Sequence, residues 1–122
     1  MYKLLEHTRR PDITFNRNGS ISITARLARM LSLRPGDSIN IAVSGGEYLL
    51  HAVHHDNDIG QYIARCFHSK RGGHDFRCQC VALCRSLFAS VGITTNRAAF
   101  MVGQKIERAG IVYVPIITMR PL

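Results

Sequence analysis

An α+β, β-rich fold is what this sequence predicts. Apolar and polar residues alternate in several short stretches, glycine-containing turns separate them, and only brief segments carry the roughly 3.6-residue spacing of a helix. A chain of 122 residues with 46% hydrophobic content is long enough for one packed core.

The elements can be read in order. Residues 1–11 form a basic leader ending at Arg9-Arg10-Pro11, where proline discourages a regular element from crossing. Ile13 and Phe15 alternate with Thr14 and Asn16, Ser20 to Ile23 alternate again, and Asn18-Gly19 lies in the connecting turn, which predicts a β-hairpin. Thr24 can cap a short helix whose Leu27, Met30 and Leu31 share one face and whose Arg26 and Arg29 share another. Arg34-Pro35-Gly36-Asp37 ends it in a turn. Ile39, Ile41 and Val43 mark a third strand, Gly45-Gly46 a second hairpin turn, and Tyr48 to Val53 the returning strand.

Beyond residue 55 the period changes. Ile59, Tyr62, Ile63, Cys66 and Phe67 read as the stripe of an amphipathic helix capped by Asp58, and Lys70-Arg71-Gly72-Gly73 reads as a linker. Phe76, Cys78 and Cys80 alternate as a strand, Leu83, Leu87 and Val91 predict another helix, and Gly92 stands where its C-terminal cap belongs. Strands over 98–102 and 111–118 complete the chain, with Pro115 expected to confine the last to a sheet edge or a bulge. The order of strand, helix, turn and hairpin over 19–53 recurs over 73–118 with little identity between the copies.

A formal charge of +8, carried mostly by arginine, implies an acidic partner, and the planar guanidinium suits phosphate oxygens and guanine edges. No apolar run approaches the roughly 18 residues of a spanning helix and no signal-like stretch follows Met1, so a cytoplasmic protein with no membrane partner is expected. Cys66, Cys78, Cys80 and Cys84 cluster with His68 and His74, but they lack the paired C-x2-C knuckles of structural zinc sites. Small buried thiols are the expected reading, with no metal and no cofactor. Neither G-x-x-x-x-G-K-[ST] nor G-x-G-x-x-G occurs, and the eight acidic residues are scattered, so no catalytic residues are assigned and the chain is not expected to be an enzyme.

The run Ile13-Thr14-Phe15-Asn16-Arg17-Asn18-Gly19-Ser20-Ile21-Ser22-Ile23, followed by Leu27-Ala28-Arg29-Met30-Leu31-Ser32-Leu33 and Arg34-Pro35-Gly36-Asp37, resembles the AbrB/SpoVT and MazE-antitoxin family over residues 12–53. That family has a glycine before an alternating strand, a short arginine-bearing helix, a Pro-Gly-Asp turn and a final hairpin. The resemblance implies a swapped-hairpin β-barrel module over 12–55 and a transcription regulator or antitoxin-like protein that grips duplex DNA. Arg29 matches a family helix arginine, and Arg17, Arg26 and Arg34 would extend the same surface. Thr24 departs from the proline usual at the helix start, and Ser20 from a basic residue usual after the glycine. A protein-interaction or assembly module that keeps the fold without reading DNA is the competing expectation.

A four-strand, one-helix unit of about forty-five residues buries too little surface to stand alone, so it needs a partner. Either two chains swap their first halves, as the resemblance implies, or residues 56–122 supply a degenerate second copy that makes an internal pseudo-dimer. The family pattern favours the homodimer, and Arg85 and Arg97 do not reproduce the Arg26/Arg29 spacing. Residues 56–122 could instead hold a protein partner.

Overall fold

The computed structural model describes residues 10–55, 64–70 and 73–118. Among them the chain runs β1 (Ile13–Asn16), β2 (Ser20–Ile23), α1 (Ala25–Leu31), β3 (Ser38–Ser44), β4 (Glu47–Val53), β5 (Phe67–His68), β6 (Phe76–Gln79), α2 (Val81–Val91), β7 (Arg97–Phe100), β8 (Ile106–Arg108) and β9 (Ile111–Ile116). The strands form two antiparallel sheets, one of five in the order β5-β6-β2-β1-β7 and one of four in the order β3-β4-β9-β8. The α+β, β-rich class is therefore as expected. No closed barrel is identified among the described residues, although single bridges, Ser38 to Arg65 and Val102 to Ile116, lace one sheet to the other. No helix of the described residues is long and apolar enough to cross a membrane.

Local chemistry accounts for the element ends. The Thr24 hydroxyl accepts the Leu27 N–H and so starts α1, which closes on Ser32 in the left-handed region at φ 54°. The Cys80 thiol takes the same place before α2 by accepting the Leu83 N–H, and Gly92 at φ 88° ends that helix as its position suggested. The β3–β4 turn places Gly45 and Gly46 at φ 57° and 82°, the primed geometry whose twist suits a tight hairpin.

Each sheet is assembled from both halves of the chain. β2 pairs with β6, Ile21 facing Cys78, and β4 pairs with β9, Leu49 facing Pro115. β1 lies between β2 and β7, with Ile13 opposite Ile23 on one side and Phe100 on the other. The inward positions of this alternation, Ile13, Phe15, Ile21, Ile23, Cys78 and Phe100, join Leu27, Leu31, Leu50, Phe88 and Val114 in one buried cluster. Phe15 and Phe100 meet edge to face with centroids 6.0 Å apart. Buried Asp12 fastens three elements. Its N–H donates to Phe100, its carbonyl accepts from Thr24, and its carboxylate accepts from Val102 N–H and Arg26.

One sequence expectation needs correction, and another resolves to one of its two alternatives. The helix expected through Ile59, Tyr62 and Ile63 falls largely on residues outside the described ones, but its last positions are extended: Phe67 belongs to β5, and the Cys66 N–H donates to the Asp37 carbonyl. Strand pairing beside β3 and β6 overrides the local 3.6-residue periodicity there, and Phe67 is 51% exposed instead of lying on a buried stripe. Of the two expected settings for Pro115 the bulge holds: β9 lies between β4 and β8, and between the Val102–Ile116 and Ile106–Tyr113 pairs three residues, 103–105, stand opposite two, Val114 and Pro115. The proline is accommodated by the break between β7 and β8, where the Gly103 N–H donates to the Pro115 carbonyl and β8 pairs only with Ile111 to Tyr113.

The closest approach between the halves tests this architecture. A Cβ on Gly19, at φ 101°, would meet the Val81 backbone nitrogen at 2.9 Å and the Gln79 amide at 2.6 Å, whereas one on Gly45 would meet nothing within 4 Å. Gly19→Ala is expected to destabilise the fold by about 2–4 kcal/mol and Gly45→Ala by about 1 kcal/mol, from backbone strain with and without a clash. Urea unfolding of the two variants checks the difference; equal costs would mean that the turn does not abut α2.

Candidate nucleic-acid interface

The arginines that sequence reading selected do not share one surface role. Arg17 is half-buried, donates from Nη2 to the Ile93 and Thr95 carbonyls at 3.1 and 2.9 Å, and lies 5.0 Å from the Phe88 ring centroid. It ties the segment that follows α2 to the ring of Phe88 on that helix. Arg26 reaches back to buried Asp12, with Nη1 2.9 Å from Oδ1. Arg29 and Arg34 are exposed along one groove of about 620 Å³, although Arg34 also lies 3.7 Å from the Asp37 carboxylate. The structure thus brings Arg29 and Arg34 together and gives Arg17 and Arg26 internal partners.

That groove lies between α1 and the β5–β6 hairpin. Ala25, Ala28 and Leu33 contribute its apolar surface, and His68 and His74 face the arginines, with His68 4.3 Å from the Phe76 ring centroid. A second groove, also about 620 Å³, crosses the outward side of the five-stranded sheet past Thr14, Ser22, Arg10, Arg77 and Arg97. A third, of about 790 Å³, passes Arg65, Phe67, Lys70 and again Arg77. Because Phe76, Arg77 and His68 are each common to two of them, the three grooves adjoin.

Along this surface Arg10, Arg29, Arg34, Arg65, Lys70, Arg77 and Arg97 line the grooves with one carboxylate among the described lining residues, Asp75, and Arg34 has Asp37 behind it at 3.7 Å. Asp75 is engaged by Arg10 at 3.1 Å and by the Ala25 N–H at 2.8 Å, which orients the entry to α1. Arg77 donates to the Ser20 hydroxyl at 3.1 Å and Gln79 to the Asn18 carbonyl at 2.8 Å, so the outward polar residues of β6 are steered across β2. Sequence reading missed Arg65 because a helix was expected there. Arg77 was legible as the outward member of the Phe76-Arg77-Cys78 alternation.

The cysteines point the other way. Cys66, Cys78, Cys80 and Cys84 are all free and buried. Hydrogen bonding to the Cys66 thiol, then burial, pushes the Cys78 thiol far above its ordinary range, and burial pushes Cys84 up to about 11. No group of three or more His, Cys, Asp or Glu side chains among the described residues could hold a metal ion. The other titratable focus is Asp37. Burial pushes its carboxyl up, but the Arg34 N–H at 2.8 Å and the His54 ring at 2.6 Å outweigh that and hold it below its ordinary value of 3.8.

Searches of family models, curated proteins and solved structures gave no match to this chain.

Two measurements follow from these sites. Because the folded Asp37 pKa is depressed, its contribution to stability is complete above the ordinary carboxylate range and is lost as pH falls through the folded value. Urea midpoints between pH 7 and pH 3 should therefore fall less steeply in Asp37→Asn than in the parent, although the variant starts less stable at neutral pH. An unchanged acid slope would remove Asp37 from the acid response. In native protein at about pH 8 the four thiols should react with Ellman's reagent far more slowly than after denaturation, since all four are buried and the raised pKa values of Cys78 and Cys84 further disfavour thiolate there. Rapid native modification of Cys84 would contradict its burial.

Proposed function

We propose that this chain is a non-enzymatic, cytoplasmic protein that binds duplex DNA through the surface made by α1, β5 and β6. The observation that carries the reading is the run of seven cationic side chains against one lining carboxylate among the described residues, over three adjoining grooves. Such a surface matches a phosphate backbone, and five of its cations lie outside the set chosen from the sequence. In this reading Lys70 and Arg97 take phosphates and fix register, joined by the remaining N–H groups of Arg65, whose Nε donates to the Gly36 carbonyl at 2.9 Å, and of Arg10, which also holds Asp75, while Arg29 or Arg77 reaches a guanine edge. A transcription regulator or antitoxin-like protein is the class that such binding and the AbrB-like motif support together.

The swapped-hairpin architecture belongs to the same proposal. The hairpin of β1 and β2, helix α1 and hairpin of β3 and β4 correspond in order to β5 and β6, α2 and the strands from β7 to β9. We read the second set as a degenerate copy of the first, interleaved with it through the β2–β6 and β4–β9 pairings. The arrangement answers the burial deficit of a lone unit inside one chain.

Titration of a random-sequence duplex at increasing salt tests the reading. Affinity is expected to fall linearly in the logarithmic plot, and replacing Arg29 and Arg77 together by Ala should weaken binding and flatten the slope by up to about two units. Absence of binding at low salt would overturn it in favour of an assembly module without DNA readout.

A further inference from the structure

The backbone pairings contain an approximate two-fold relation. An axis through the facing pairs Ile21/Cys78 and Leu49/Pro115 carries β2 onto β6 and β4 onto β9. The other contacts obey it: Ile13 beside Phe100 becomes Ala64 beside Ile39, and Ile41 beside Leu50 becomes Val102 beside Ile116. Caps and turns of the same kind recur in each half, displaced along the chain from the positions the axis gives, which carries Thr24 onto Val81. Thr24 and Cys80 each accept the N–H of the third residue onward, and the hairpin turns Gly45-Gly46 and Ala109-Gly110 each hold consecutive positive φ angles.

The outward side chains break that symmetry. The axis carries Thr14 onto Arg65 and Ser20 onto Arg77, so equivalent sites on the same sheet are neutral in the first half and cationic in the second. The position after Gly19 that sequence reading found without its basic residue has its cationic counterpart at Arg77. On the helices Arg29 and Arg85, both exposed, each stand five residues beyond the caps Thr24 and Cys80, but Ala82 stands where Arg26 does in the first half, so the Arg26/Arg29 pair is not reproduced.

We infer that one chain is the complete DNA-binding unit and that it recognises a duplex site without inverted-repeat symmetry, held chiefly by the second-half strand pair through Arg65 and Arg77. The inference rests on the duplex-binding reading above. A symmetric dimer reads inverted repeats because each half offers the same groups, whereas this frame offers different ones. The strand edges through which a second copy would interleave are already taken, β2 by β6 and β4 by β9.

Selection of duplexes of about 20 base pairs from a random pool, followed by native mass spectrometry of the full chain on the enriched duplex, tests this directly. One chain per duplex, a motif lacking an inverted repeat, and at least about tenfold weaker binding by Arg65→Ala/Arg77→Ala than by Thr14→Ala/Ser20→Ala are expected. Circular dichroism of each variant separates lost binding from lost fold. Two chains on an inverted repeat, equal effects of the two double variants, or salt-dependent binding without an enriched motif would overturn the inference and leave duplex binding intact. No duplex retained at low salt would instead overturn the duplex-binding reading itself.

Discussion

The pairing of β2 with β6 and of β4 with β9 is the constraint on which the rest of the structure depends. A hairpin, a short helix and a second hairpin offer an apolar side too large to leave wet and too small to close on itself. Putting strands from the other half at the centre of both sheets gives Ile21 and Leu50 neighbours on every side, and each is fully buried. Gly19 marks how tightly the halves meet, because its turn lies against the start of α2 and leaves no room for a side chain.

Within that frame, a few polar groups fix angles that apolar packing alone leaves loose. Asp12 ties β1 to α1 and to the end of β7, and it does so while buried, so its carboxylate must be satisfied by Val102 and Arg26. Asp37 plays a comparable part after α1, receiving the Arg34 N–H and the His54 ring where β3 begins. Arg17 spends its charge on the Ile93 and Thr95 carbonyls of the segment after α2. These uses of charge explain why counting arginines near a family-like motif does not by itself locate a binding surface.

The division of labour between inward and outward positions then connects fold to function. Cys78 and Phe76 point inward on β6 and join the core, while Arg77 and Gln79 point outward across β2. All four cysteines are buried, so the cluster contributes packing on one side of the same strand whose other side carries charge. Changing an outward residue of such a strand alters the surface without touching the core, and this lets two halves with one backbone plan differ in charge.

Much of the local structure was legible in the sequence because its causes are local. Alternation gave β1, β2, β3, β4 and β6, a cap and an apolar spacing gave α1 and α2, and glycine pairs or Gly92 marked where elements stop. Phe67 and Cys66 were misread because their extended form depends on strands distant in sequence, and Pro115 could be read only as marking an edge or a bulge because the break opposite it is a property of the sheet. The candidate surface divides in the same way. Arg29 and Arg34 could be chosen from the helix and turn that carry them, but only the tertiary structure tied Arg17 to α2, turned Arg26 toward Asp12 and aligned Arg65, Arg77 and Arg97 along adjoining grooves. The sequence by itself determined which residues alternate, cap and turn, since those are set by neighbours a few bonds away; the partner of each strand, and the sum of charge on each side, were decided by long-range pairing that no local pattern encodes.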